Sequence, residues 1–353
     1  MFNISTNKTY KIDIPQLRDR WCCASTNGWL LTIGLNSPNE IHLLNPFSKS
    51  QIQLPPRSTF QEPQLDDETY TEGYLKRVIT SSSNPYYDPD YIVFVIHCNK
   101  HKMAFCKPGD QKWTTLEAPR TTYSDAIFFR GEFYATDGRG NVLHCELNPN
   151  PRATQIAPPP IAPFFLDEKY LVESAGEFLM VRRSIEWEES DDEEEITDSN
   201  SEYYISNYKT VLFEVFKLDL SKKEWSKVKS LGDEALFLGH NQAIAVSTRN
   251  SSRCRANCIY FTDSNWEGYF RNIRGCCDMV LKKAQSTGKK AELWPYVPYN
   301  LVAHPYVAQI YDKKAPPGYV RVTEDTAIAT LSTVEEQYNT MFSDENPNAC
   351  SIM

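Results

Sequence analysis

No stretch of this 353-residue chain approaches eighteen consecutive apolar residues, so no transmembrane helix is expected. Its first residues, MFNISTNKTYKIDIP, lack a basic start followed by an apolar run, so no secretory signal is read there. Without export, the ten cysteines belong in a reducing compartment, and the sequons beginning at Asn3, Asn7 and Asn250 are chance matches. Cysteine placement agrees, since Cys22-Cys23 and Cys276-Cys277 are adjacent pairs that suit strands better than a disulfide framework. Long helical periodicity is nearly absent as well. So are the signatures of catalysis: there is no G-x-S-x-G, no H-E-x-x-H and no glycine-rich phosphate loop. An enzyme is not expected, and neither a cofactor nor a metal is called for.

The net charge of −9 belongs to one place. Ten of the 46 acidic residues lie between Glu186 and Glu202, a stretch with no Lys or Arg, which leaves 36 acids against 37 bases elsewhere. The remainder is close to neutral and offers no concentrated basic face for nucleic acid. A hydrophobic fraction of 41% is ordinary for a chain that buries a real core.

What is present is a repeated pair of strands, the second closing with Pro or a charge. It reads FNISTNKTYKIDIP from Phe2, HLLNPFSKSQIQLPP from His42 and MAFCKPGDQKWTTLEAP from Met103. It continues as LHCELNPNPRATQIAPPP from Leu143, VFKLDLSKKEWSKVK from Val215 and MVLKKAQSTGKKAELWPYVP from Met279. Trp113, Trp225 and Trp294 take similar places in the second strand. Most of these hairpins follow another strand pair: 126–129 with 132–136, 170–173 with 178–182, and 235–238 with 258–261. Four strands per repeat is the pattern of propeller blades, which bury one another around an axis because none can bury both faces alone. The fold expected is therefore all-β: a propeller of six blades, with five or seven also compatible, ahead of an irregular β-sandwich. The propeller should span 1–322 with an acidic insert at 184–208. The region 323–353 should be a flexible tail, with a short helix near 326–338. No Gly-His…Trp-Asp pattern and no Gly-Gly pair marks it as a WD40 or kelch propeller.

LGDEALFLGHNQAIAVS followed by NCIYFTDSNW resembles the plant F-box-associated β-propeller family known as domain of unknown function 295, of the KIB type. GWLLTI from Gly28, IHLLNPFSKSQIQLPP from Ile41, FCKPGDQKW, GEFYATDGRGNVL and YLVESAGEFLMVRR fit its other blades, so the resemblance covers roughly residues 2–299. It implies a non-catalytic propeller that serves as the substrate-binding part of a ubiquitin-ligase receptor. In the family an F-box usually precedes the propeller. Here the first hairpin starts at Phe2, so no F-box is expected and direct docking to a ligase adaptor is not.

Two modification sites are candidates. Cys350-Ser351-Ile352-Met353 forms a C-a-a-X box of the kind read by farnesyltransferase. The preceding SDENPNA is acidic, so one lipid chain would anchor only weakly. Ser190, followed by Asp191, Asp192 and Glu193, suits an acidophilic kinase, within a segment that otherwise reads as a solvated loop. Cys254, Cys258, Cys276 and Cys277, with or without His240, make a poor zinc set. The second pair is adjacent, and Cys258 begins the apolar run CIYF. DGRGN at 137–141 reads as a glycine-assisted hairpin turn rather than a ligand loop.

The function expected is a protein-interaction module, cytoplasmic or nuclear, with peripheral membrane association through Cys350. The alternatives are a propeller hydrolase acting on a glycoside or ester, which would gather acids around the axis, and a truncated relative without function.

Overall fold

The short apolar runs form strands, and the strands group in fours. The structure, a computed structural model, describes residues 2–3, 8–9, 14–37, 39–61, 75–97, 102–161, 167–187, 208–239, 242–249, 255–261, 278–280, 282–285 and 298–300. Among the described residues β1 (Phe2–Asn3) and β2 (Lys8–Thr9) pair only with each other. The first blade is β3 (Arg20–Thr26), β4 (Trp29–Gly34), β5 (Ile41–Leu44) and β6 (Gln51–Leu54). The second is β7 (Leu75–Thr80), β8 (Val93–His97), β9 (Lys102–Cys106) and β10 (Thr114–Thr115). The third is β11 (Tyr123–Phe129), β12 (Glu132–Asp137), β13 (Val142–Glu146) and β14 (Arg152–Ala157). The fourth is β15 (Glu168–Ser174), β16 (Glu177–Trp187), β17 (Tyr208–Asp219) and β18 (Glu224–Val228). Each is an antiparallel meander in chain order.

The fifth blade departs from the meander. Its strands are β19 (Glu234–Leu238), β20 (Ala243–Ser247), β21 (Cys258–Phe261) and, after β22 (Asp278–Val280), β23 (Lys282–Gln285). The order is β20-β19-β21-β23, with β19 and β21 parallel. β22 pairs with β24 (Pro298–Asn300) in a separate two-stranded sheet.

Among the described residues this corrects the count of six blades to five. Two of the six hairpins do not seed a blade. β1–β2 stands alone, and the unit read from Met279 divides, with Lys282–Gln285 pairing to Cys258–Phe261 as the outer strand of the fifth sheet. The innermost strand of that sheet is Ala243–Ser247, which the strand pairs read from the sequence did not include. Trp294, read as part of the last repeat, lies outside the described residues. So does the whole of 323–353. Strand pairing also enters both ends of the 184–208 insert, because β16 and β17 stay paired out to Trp187 and Tyr208.

Blade stacking explains why middle strands read as unbroken apolar runs. WLLTIG of β4 and VFVIH of β8 are buried at every position, since both faces of a middle strand meet a neighbouring blade. The cores lie between blades accordingly. Leu31, Leu43, Val93 and Trp113 join the first two blades, while Phe94, Phe105, Phe133 and Leu143 join the next two. Phe129 and Val142 meet Phe178 and Leu218, and Tyr170 and Phe213 meet Leu236 and Phe261.

The recurrent tryptophans fasten one blade to the carbonyl that ends the previous one. Trp113 Nε1 donates to the Pro55 carbonyl at 2.9 Å, and Trp225 Nε1 to that of Pro158 at 2.7 Å. In these two repeats the closing prolines thus present a carbonyl to the next tryptophan-bearing blade.

At the centre, β3, β7, β11, β15 and β20 stand side by side. The amide of Asn27 in the first blade donates to Gln242 Oε1 in the fifth at 3.2 Å and closes the ring. β3, β7 and β11 each carry an irregularity in register, between Cys22 and Ala24, Leu75 and Arg77, and Tyr123 and Asp125. A bulge of this kind re-aims the residues that follow it.

Candidate protein-binding surface

The bulges in β7 and β11 place Arg77 and Asp125 against each other at the ring. Arg77 Nε lies 3.1 Å from Asp125 Oδ1, and the two side chains are 6% and 4% exposed. Asp125 Oδ2 accepts the Leu171 amide of β15 at 2.9 Å, and Oδ1 accepts its neighbour Ala126 at 2.8 Å. Arg77 also reaches the Gly239 carbonyl beside β19 at 3.4 Å. One ion pair therefore ties four consecutive blades. Burial raises the Asp125 carboxyl above its ordinary value, opposed by Arg77 and by the two amides. Both oxygens are engaged, so the pair holds the ring together and offers no open acid to a substrate.

The other buried acids are also tied to local partners. Asp167 bonds Arg182, which continues at 2.8 Å to Glu214, and Lys227 holds the other Glu214 oxygen. The main chain of Asp167 accepts Lys169 Nζ at 2.7 Å, and burial lowers the Lys169 ammonium from its usual range. Asp137 accepts the amides of Arg139 and Asn141, both at 2.9 Å. Gly140 takes a φ of 93° in that turn, which links β12 to β13 as the sequence predicts for DGRGN. Asp167 keeps its other oxygen buried without a hydrogen-bond partner among the described residues.

One end of the propeller carries a feature of another kind. In three blades the first and second strands join through two residues with positive φ: Asn27-Gly28, Arg130-Gly131 and Ala175-Gly176. These are tight hairpin turns of the primed type. Asn27 Nδ2 donates to Thr80 Oγ1 at 3.1 Å, and Arg130 donates to the Gly176 carbonyl at 2.7 Å, so neighbouring connections share one face.

The second blade replaces the tight turn with residues 81–92, SSSNPYYDPDYI. This loop is fixed by its own bonds. Ser81 N donates to the Ile92 carbonyl at 3.0 Å, and Ile92 N to Ser81 Oγ at 2.8 Å. Tyr87 N reaches the Asn84 carbonyl at 3.2 Å, and Asp90 N reaches Asp88 Oδ1 at 2.9 Å. Pro85 is buried, and Tyr91 joins the core between the first two blades.

On this anchored loop Tyr86 and Tyr87 are 53% and 79% exposed, the large hydrophobics left open among the described residues. Their rings meet edge to face with centroids 5.1 Å apart. Exposed aromatics on a rigid loop supply contact area with little ordering cost, which is what protein recognition uses. Sequence reasoning missed this pair. The signal was three tyrosines among Asn, Pro, Ser and Asp, in a stretch that otherwise reads as a polar loop.

The opposite end of the blades bears the connections between second and third strands. There β16 and β17 run past their neighbours as a two-stranded ribbon, because β15 pairs no further than Arg183 and β18 no further than Val215. The ribbon leads into the acidic segment, 188–207, which lies outside the described residues together with Ser190. Cys350, Cys254, Cys276, Cys277 and His240 lie outside them too. Cys258 is buried in β21 as the apolar run implies, and no group of His, Cys, Asp and Glu suited to a metal occurs among the described residues. No helix among them is long and apolar enough to cross a membrane.

Comparison with known proteins gives two distinct likenesses. The model of the KIB1-4 beta-propeller matches residues 1–285. A predicted F-box protein of Arabidopsis thaliana is 31% identical over 268 residues, covering 72% of this chain and 66% of its own length. The C-terminal region is instead similar to heavy metal-associated isoprenylated plant protein 23 of Arabidopsis thaliana, 65% identical over 77 residues, or 21% of this chain and 49% of that one. The chain thus spans about two thirds of the first relative and about half of the second. Among solved structures, Hsv2 of Kluyvelomyces marxianus aligns over 58% of this chain and 56% of its own at a TM-score of 0.30 and 9% identity, too loosely to carry an argument.

Proposed function

The chain belongs to the KIB1-4 beta-propeller family, and from that premise we propose that it is a non-catalytic protein-interaction module whose partner docks on the face bearing Tyr86 and Tyr87. The observation that carries this is the exposed tyrosine pair on an anchored loop, where three other blades have only a two-residue turn. The buried acids support it from the other side, since both carboxylate oxygens of Asp125 and of Asp137 are bonded to structural partners. A photo-crosslinking residue at position 87 is expected to capture a protein that one at Arg139, on the opposite face, does not. Adducts from Arg139 alone would place the partner on the other end.

The likeness to an F-box protein supports a role in choosing targets of a ubiquitin ligase, in which the propeller is the substrate-binding part. Co-purification that is lost in a Tyr86→Ser/Tyr87→Ser chain is the expected result for such a target.

The similarity of the C-terminal region to isoprenylated proteins supports farnesylation at Cys350, and with it weak, reversible attachment to membranes. Metabolic labelling with a farnesyl analogue should mark the native chain and not Cys350→Ser; equal labelling of the two contradicts it. Phosphorylation at Ser190 would add charge to a segment already rich in it. Mass spectrometry after treatment with an acidophilic kinase should find phosphate there, and an unmodified Ser190 removes the proposal.

A further inference from the structure

We propose that the Tyr86–Tyr87 loop receives a cationic segment of its partner, an Arg or Lys side chain laid against the tyrosine rings. This rests on the interaction-module function above and names the chemistry of the partner. Two observations point to a cation. The first is the open pair of aromatic rings. The negative face of a tyrosine ring attracts ammonium and guanidinium groups, and Tyr87 at 79% exposure leaves most of its ring free to do so.

The second is the charge around the rings. Between Thr80 and Val93 the chain has Asp88 and Asp90 and no Lys or Arg. Asp90 is exposed and Asp88 partly so. Asp88 Oδ1 accepts the Asp90 amide at 2.9 Å, which fixes the turn that follows Tyr87 and carries both acids. The basic residues nearest in sequence, Lys76 and Arg77, are buried in β7. An approaching cation therefore meets two aromatic rings and two carboxylates with no competing cation on the loop.

The same charge argues against other occupants. Exposed tyrosines can sit at a lipid surface, but cytoplasmic leaflets are anionic and two carboxylates beside the rings oppose that contact. A second copy of this loop would bring four carboxylates together. Neither objection applies to a basic peptide. The loop needs little ordering to bind one, because its ends are tied by the Ser81 and Ile92 bonds and its base by Tyr91.

The test uses the full chain and three labelled octapeptides: four Arg-Gly repeats, four Lys-Gly repeats and four Gln-Gly repeats. Fluorescence anisotropy should show the Arg and Lys peptides binding, the Arg peptide more tightly, and the Gln peptide not binding. Tyr86→Ser/Tyr87→Ser should weaken the Arg peptide about tenfold, two ring contacts' worth. Asp88→Asn/Asp90→Asn should weaken it roughly threefold and flatten its salt dependence. Glu193→Gln/Glu194→Gln/Glu195→Gln serves as control and should leave the tyrosine effect in place, which separates the loop from diffuse attraction to the acidic segment.

All three variants change residues of a loop or of the acidic segment, and circular dichroism with thermal melting verifies their fold. Equal Arg-peptide affinity in the native and Tyr-variant chains overturns the proposal. So does equal binding of the Gln peptide, or no binding of the Arg peptide. Tyrosine-dependent binding to phosphatidylserine vesicles without peptide binding assigns the loop to a membrane, and tyrosine-dependent dimerisation assigns it to a second copy. Both overturn it. If crosslinking from position 87 still captures a protein while the Arg peptide fails, only the cationic assignment falls. If both fail, the docking face falls with it.

Discussion

Arg77 and Tyr86 stand nine positions apart, one near the start of β7 and the other on the loop that follows it, and they have opposite fates. A charged side chain is ordinarily the surface residue and an aromatic ring the buried one. Here Arg77 is buried against Asp125, while Tyr86 and Tyr87 are open to solvent. The difference lies in what surrounds each. Arg77 follows a bulge that turns it toward two other blades, and its charge finds a carboxylate and a carbonyl there. The tyrosines sit where a two-residue turn would have sufficed, and no core reaches them. Residue type did not decide which group maintains the fold and which is left for recognition. The availability of partners did.

That contrast can be broken most forcefully at the axis. Asp125→Ala leaves Arg77 buried without its carboxylate and should cost about 3–5 kcal/mol, or roughly 10 °C in Tm, measured by thermal unfolding. Adding Arg77→Met to it should restore much of the loss, because the unpaired charge is then gone.

His97 tests the interior by pH. It lies at the end of β8, fully buried, with its ring 4.3 Å from that of Phe60, which stacks on Trp113. Burial, with the Lys102 charge second, pushes its pKa down to about 3 from the ordinary 6.5. The unfolded chain therefore takes up the proton first. Stability held at pH 7 is lost as pH falls below about 6.5 and through the folded value, on the order of 3 kcal/mol by pH 4. His97→Phe should lessen that acid loss, read from denaturant midpoints at pH 7 and pH 4.

The links between blades give smaller effects. Trp113→Phe leaves the Pro55 carbonyl without its buried donor and should cost about 2 kcal/mol, while Trp225→Phe, at a more exposed bond, should cost about 1 kcal/mol by the same unfolding measurement. Tyr86→Ser/Tyr87→Ser should change stability by less than about 0.5 kcal/mol. A large stability loss there would mean the pair is structural after all.

Much of the architecture was legible in the residues. The repeated hairpins were visible because a polar turn and a closing Pro or charge are local signals, and four of them form the outer strands of blades. Blade count was not legible. It depended on whether Lys282–Gln285 would pair with Cys258–Phe261 and on Ala243–Ser247 taking the innermost place, both long-range choices that small or lysine-rich runs do not announce. The axial ion pair was hidden for another reason. Arg77 and Asp125 are residue types ordinarily at the surface, and the bulges in β7 and β11 bring them to the centre. Tyr86 and Tyr87 were visible in composition, but their exposure follows from the anchoring of Pro85 and Tyr91, which is tertiary.

The proposed function stands on binding through the face that carries Tyr86 and Tyr87. Its most direct measurement is photo-crosslinking in cells with the probe at position 87, compared with a probe at Arg139 on the opposite end of the third blade. The account predicts one discrete adduct from position 87, abolished by an excess of the chain without the probe, and none from Arg139. Adducts from Arg139 with none from position 87 would contradict it.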